Sequence, residues 1–104
     1  MTIKEASQIT GVTADTLRYY ERIGLIPPVP RNESGIRNYD DTIIGWVNFI
    51  RCMRNAGLPI ETLIKYVALY KEGSKTDEAR KQLLIEQKNI LEERIAFLQD
   101  TLIK

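Results

Sequence analysis

The sequence of 104 residues has no histidine, one cysteine, one tryptophan and two phenylalanines. Without histidine, an imidazole pH switch and a histidine-rich metal site are both excluded. Cys52 alone cannot close an internal disulfide. One thiolate also rules out a mononuclear site built from several cysteines of the same chain. No segment reads as a signal peptide and no apolar run is long enough to span a membrane, so a soluble cytoplasmic protein is expected. The formal net charge is only +1, so no global cationic field announces a nucleic-acid binder. Nucleophile–base pairings and a glycine-rich phosphate loop are missing too, and an enzyme is not expected. Neither an internal repeat nor a low-complexity tract appears.

What is there fits one modest domain, or a small domain with an extension. Thr2 and Glu5 in "TIKE" form a capping box that opens a short helix through Ile9, ended by Thr10 and Gly11. Thr13 then caps a second helix that stops at Gly24. Helix, glycine-containing turn, helix is the outline of a helix-turn-helix. Pro27, Pro28 and Pro30 exclude a helix from the next stretch. Asn32, Ser34 and Gly35 form turns, so Val29–Arg31 and Ile36–Tyr39 are expected to pair as a small hairpin, a wing. Asp40 caps a third helix to about Ala56, closed by Gly57. Pro59 stands near the start of a fourth, to about Tyr70, closed by Gly73. The last helix begins near Thr76 and runs for roughly 40 Å at 1.5 Å per residue.

Two adjacent tyrosines mark the second helix. Projected at 100° per residue, Leu17, Tyr20 and Ile23 share the core side with Thr13 and Thr16. Asp15, Arg18 and Arg22 take the other side, with Tyr19 at its edge. A phenol among guanidinium groups on an exposed helix suits phosphate contact, the arginines giving charge and the tyrosine a directed hydrogen bond. Distribution of charge agrees, with four arginines between Arg18 and Arg37 against Glu21 and Glu33.

"TLRYYERIGLIPPVPRNESGIRNYDD" resembles the DNA-binding segment of the MerR family of transcription regulators. "IKEASQITGVTADTLRYYERIGL" is similar to its helix-turn-helix. "SGIRNYDD" is similar to its wing and third-helix start, and "FIRCMRNAGLPIETL" to its third helix, turn and fourth helix. The resemblance implies a mainly α fold: a winged helix-turn-helix DNA-binding domain over residues 1–73 with a small β-hairpin wing. A long C-terminal helix over 74–104 would form an antiparallel coiled-coil dimer. By position, Arg18 and Tyr19 are expected on DNA from the second helix and Arg37 from the wing with Tyr39 beside it. Thr13, Asp15 and Arg22 complete the set. The family bends and untwists a promoter spacer so that RNA polymerase engages both elements, and protein contacts offset a deformation energy on the order of a few kcal/mol.

Leu84, Leu91 and Leu98 recur every seven residues along the last helix. Leu83, Ile90 and Phe97 flank them on one side, Ile95 and Leu102 on the other. This stripe is wider than a strict two-position seam. Leu84, Leu91, Ile95, Leu98 and Leu102 are the expected homodimer contacts, and a two-fold dimer reads a palindrome.

Metal-responsive MerR members use cysteines near the end of the dimerisation helix, and these 104 residues carry none there. No cofactor or metal is therefore expected. Some aldehyde- or nitrosative-stress-responsive members have a lone cysteine in the third helix, and "IRCMRNAG" resembles them. The resemblance implies Cys52 as sensor of a small electrophile. Cys52 projects nearly opposite Ile43, away from the arc of Ile43, Trp46, Val47, Phe49, Ile50 and Met53. Arg51 and Arg54 are near enough in sequence to favour a thiolate, but by projection their side chains point elsewhere. Two competing classes are an architectural or recombination-accessory winged helix of excisionase type, and a protein-interaction adaptor. The long apolar stripe argues against the first, and Arg18, Tyr19 and Arg37 against the second.

Overall fold

The fold follows from where the chain can and cannot pair its backbone. The computed structural model describes residues 1–103. Five α-helices run α1 (Ile3–Thr10), α2 (Ala14–Ile23), α3 (Asp41–Asn55), α4 (Ile60–Lys71) and α5 (Asp77–Ile103). The capping box closes α1 as its sequence predicts. Thr2 Oγ1 accepts from the Glu5 N–H at 3.1 Å, and Glu5 Oε1 accepts from the Thr2 N–H at 3.0 Å. The Thr2 N–H foremost, then the Thr2 hydroxyl, holds the Glu5 carboxyl below its ordinary range. Thr13 caps α2 and Asp40 caps α3 through side-chain oxygens.

Between α2 and α3 the expected hairpin is reduced to one antiparallel bridge, Arg31 with Arg37. Pro27, Pro28 and Pro30 have no N–H to donate, so a ladder cannot extend toward the chain's N-terminal side. The Asn38 N–H reaches the Pro30 carbonyl at 2.7 Å and the Asn32 N–H the Ile36 carbonyl at 2.8 Å, while Asn32 Oδ1 accepts from the Ser34 and Ile36 amides and ties the tip. Pro59 occupies the cap position of α4 rather than its first turn. A 3₁₀ turn, Ser74–Thr76, precedes α5, and the Thr76 hydroxyl lies 2.6 Å from the Leu69 carbonyl.

One core joins the first four helices. Ala6, Leu17, Leu25, Ile26, Tyr39, Val47, Ile50, Leu63 and Val67 are closed to solvent or nearly so. The helix-turn-helix is fixed to α3 through Thr10. Its hydroxyl donates to the Ala6 carbonyl at 2.8 Å, and its carbonyl accepts from Arg51 Nη1 at 2.8 Å. α5 behaves differently. It packs beside α4, and Leu91 touches the core, yet it has no buried residue. The molecule is correspondingly elongated, 59 × 33 × 19 Å.

Candidate nucleic-acid interface

α2 presents two faces, and the tyrosine pair divides between them. Leu17 and Tyr20 lie in the core, whereas Tyr19 is 38% exposed. Each exposed arginine is pre-set by a neighbour. Arg18 Nη1 meets Asp15 Oδ1 at 2.9 Å, one helical turn away. The Arg22 guanidinium lies 5.5 Å from the centre of the Tyr19 ring, a cation–π contact. Thr13 is exposed, but its oxygen is engaged in capping, accepting from the Thr16 N–H at 3.2 Å.

The wing folds back onto this helix. Glu21 Oε2 accepts from the Val29 N–H at 3.0 Å, and Glu21 Oε1 accepts from Arg37 Nε at 2.7 Å. Arg31 Nη1 donates to the Gly35 carbonyl at 2.6 Å, closing the wing tip on itself. The outcome is an open cleft of about 350 Å³ lined by Thr2, Ile3, Arg18, Arg31, Gly35, Ile36 and Arg37. Three guanidinium groups from two elements thus line one concavity, although the whole chain is nearly neutral. Such a surface suits a phosphate backbone, which arginine recognises through paired N–H donors.

Tyr39, expected beside Arg37 on DNA, instead has a side chain that is 0% exposed. Its amide donates to the Met1 carbonyl at 2.8 Å, which draws the residue beneath the chain's first turn. Burial, then the nearby charge of Glu21, pushes the phenol above its usual value, while Arg37 and Arg18 act in the opposite sense. The hydroxyl is buried without a hydrogen-bond partner among the described residues. Tyr39 is a core residue. Sequence reasoning also missed Arg31 and Glu21. The visible signal was Glu21 among the run of arginines, and Arg31 opposite Arg37 across the predicted turn.

Cys52 is exposed on α3, on the side its projection gives. The two arginines beside it are committed elsewhere, Arg51 to Thr10 and Arg54 Nη1 to the Leu58 carbonyl at 2.8 Å. They satisfy turn carbonyls. On α5, Leu91 is half-buried against the core, Leu84 is at the margin of exposure, and Ile95, Leu98 and Leu102 are 53%, 53% and 86% exposed.

The family described as MerR HTH family regulatory protein matches residues 1–70, and the description "MerR, DNA binding" matches residues 44–103. The chain belongs to the MerR family. Among curated MerR relatives, the HTH-type transcriptional regulator AdhR of Bacillus subtilis is 56% identical over 91 residues, covering 88% of this chain and 65% of that protein. HmrR of Sinorhizobium medicae, another HTH-type transcriptional regulator, is 38% identical over 96% of this chain and 68% of its own length. The chain thus spans about two thirds of the length of these relatives. A putative MerR regulator from Listeria monocytogenes superposes with a TM-score of 0.94 at 55% identity, over 98% of this chain and 77% of that one. HiNmlR, described as a MerR regulator lacking the sensor domain and solved bound to promoter DNA, gives 0.88 at 31% identity, over 97% and 80%. These MerR relatives are transcriptional regulators, not enzymes. Among the described residues, no helix is long and apolar enough to cross a membrane.

Proposed function

We propose that this chain is a DNA-binding transcriptional regulator that reads a palindromic promoter as a homodimer. The observation that carries the reading is the cleft between α2 and the wing, where Arg18, Arg31 and Arg37 converge. α2 supplies Arg18, Tyr19 and Arg22 to the major groove, with Thr13 and Asp15 at the helix start. The wing grips the flanking backbone through Arg37. Residues 1–73 act as the DNA-binding unit, and 74–104 as the dimerisation helix, paired antiparallel through Leu84, Leu91, Ile95, Leu98 and Leu102. The unburied apolar side chains of α5 support a second copy as its partner. Two-fold pairing sets two recognition helices on a palindrome. The dimer bends and untwists the promoter spacer, and RNA polymerase engages the reshaped site. Promoter DNA in the HiNmlR structure supports the choice of ligand. Such a regulator works in the cytoplasm.

Cys52 is the group through which an electrophile is read. Its exposure supports access, and adduct formation there adds bulk on α3. A modified dimer then favours one of two bound DNA shapes, by its differential affinity for them.

The test is binding of the chain to duplex from the region upstream of its own gene, across a salt series, followed by footprinting. Affinity should fall steeply with salt and a two-fold symmetric tract should be protected. A salt-independent affinity with no protected tract would sink the reading.

A further inference from the structure

We propose that Glu21 is a positioning residue for DNA binding: a strut that locks the wing to α2 and holds Arg37 in the cleft. The inference rests on the DNA-binding reading above and deepens it. Glu21 sits in the last turn of α2, on the boundary between its buried and exposed sides. Its side chain is 19% exposed, and both carboxylate oxygens are in use. Oε2 holds the backbone at Val29, where the wing begins, and Oε1 holds Arg37, on the returning arm. One carboxylate therefore fixes both arms. The arms meet each other through a single bridge, and the returning arm is also tied to Met1 through Asn38 and Tyr39, but Glu21 is the side chain of α2 that bonds both arms.

The geometry of the pair leaves Arg37 useful. Glu21 takes Nε, one of five guanidinium N–H donors, and the other four are on the terminal nitrogens. Arg37 remains 44% exposed in a cleft that Arg18 and Arg31 also line. A guanidinium already oriented loses less freedom when a phosphate arrives. The pair differs from an ordinary surface ion pair in its second anchor, the Val29 amide.

The sign of a substitution separates a strut from a bystander. Removing a carboxylate beside a DNA-binding surface ordinarily strengthens binding, since it removes repulsion with phosphates. Glu21→Gln should do the opposite. A glutamine has one carbonyl oxygen for two N–H donors, and its NH2 would face a donor. The measurement is fluorescence anisotropy of the full chain with a random-sequence duplex of about 30 base pairs, over a salt series, where backbone contacts supply the affinity. Glu21→Gln should weaken binding about 5–10-fold and lower the salt slope by about 0.9, the contribution of one phosphate. In an Arg37→Ala background, it should add nothing. Glu21→Asp keeps the charge and loses the reach, and should also weaken binding; it serves as the second variant if Glu21→Gln does not fold. Unchanged or tighter binding by both variants, or a full additive loss in the Arg37→Ala background, overturns the strut while wild-type binding upholds the DNA reading. Absence of salt-dependent binding by the wild type would overturn both.

Discussion

The first four helices and α5 solve the burial problem in opposite ways. Up to Lys71 the chain closes a shared core in which Leu17, Val47 and Val67 are 0% exposed. From Asp77 to Ile103 no residue is fully buried, and Phe97, Leu102 and Ile103 are 69%, 86% and 83% exposed. Both regions are apolar in sequence. The difference is partners: short helices joined by tight turns can surround one another, whereas a helix of roughly 40 Å outruns anything a small unit offers it. An isolated long helix gains little from propensity alone, since packing of an apolar face supplies most helix stability. The comparison therefore teaches that the two regions draw on different sources of stability, and substitutions should expose it.

Leu17→Ala should have the largest effect. Removing a fully enclosed leucine costs about 2–5 kcal/mol, read as a lowered midpoint in chemical denaturation. Leu102→Ala, at the far end of α5, should change the denaturation midpoint little at concentrations where the chain is monomeric. Equal losses from both would break the comparison.

Leu91→Glu combined with Leu98→Glu should come next. Two charges placed in an apolar seam without partners should weaken self-association at least a hundredfold, about 2.7 kcal/mol. Sedimentation across a dilution series checks it. A double variant that remains as associated as wild type places the interface on another surface.

How far the sequence disclosed this division depends on periodicity. α2 was legible down to single residues because a regular 100° step separates Tyr20 from Tyr19, and capping residues marked three helix starts. α5 was legible as a long, wide stripe for the same reason. The wing was not. Tyr39 lies in a segment without period, so nothing local showed that its amide would join Met1 and its ring enter the core. Arg51 and Arg54 project away from Cys52, as the helical step gives, but the backbone carbonyls they bond leave no mark in a sequence. Glu21 was visible, but its two partners lie eight and sixteen residues away. Tertiary contacts of that kind become readable only once the loop is folded.

The third substitution sharpens the comparison at the DNA end. Arg18→Ala should reduce affinity by about 1–3 kcal/mol at a preferred site if the arginine reads a base. Arg37→Ala should weaken binding to many sequences alike and lower the salt slope by about one. A competition assay with altered duplexes distinguishes them. Loss of preference from Arg37→Ala, with none from Arg18→Ala, would exchange the roles assigned to helix and wing.

The smallest effect on stability is expected at Cys52, and there the contrast between regions becomes functional. Cys52 is on α3, a helix whose opposite side is core, yet its own side chain is exposed. Cys52→Ser replaces one small side chain by another without opening a cavity, so the denaturation midpoint should move by no more than about 0.5 kcal/mol. The response should move far more. An electrophile adds to the thiol sulfur, and a serine hydroxyl is a much weaker nucleophile under the same conditions. Transcription from the target promoter is compared with and without an aldehyde or nitrosating agent, for wild type and Cys52→Ser. The serine variant should keep its basal DNA binding and lose the induced change. Such a result would join a side chain that contributes little to the core with a large shift between DNA shapes. If Cys52→Ser responds like wild type, the thiol is an ordinary surface group and the signal enters elsewhere. If basal DNA binding falls together with the response, Cys52 supports the fold of α3, and its exposure has been misread as accessibility to reagents.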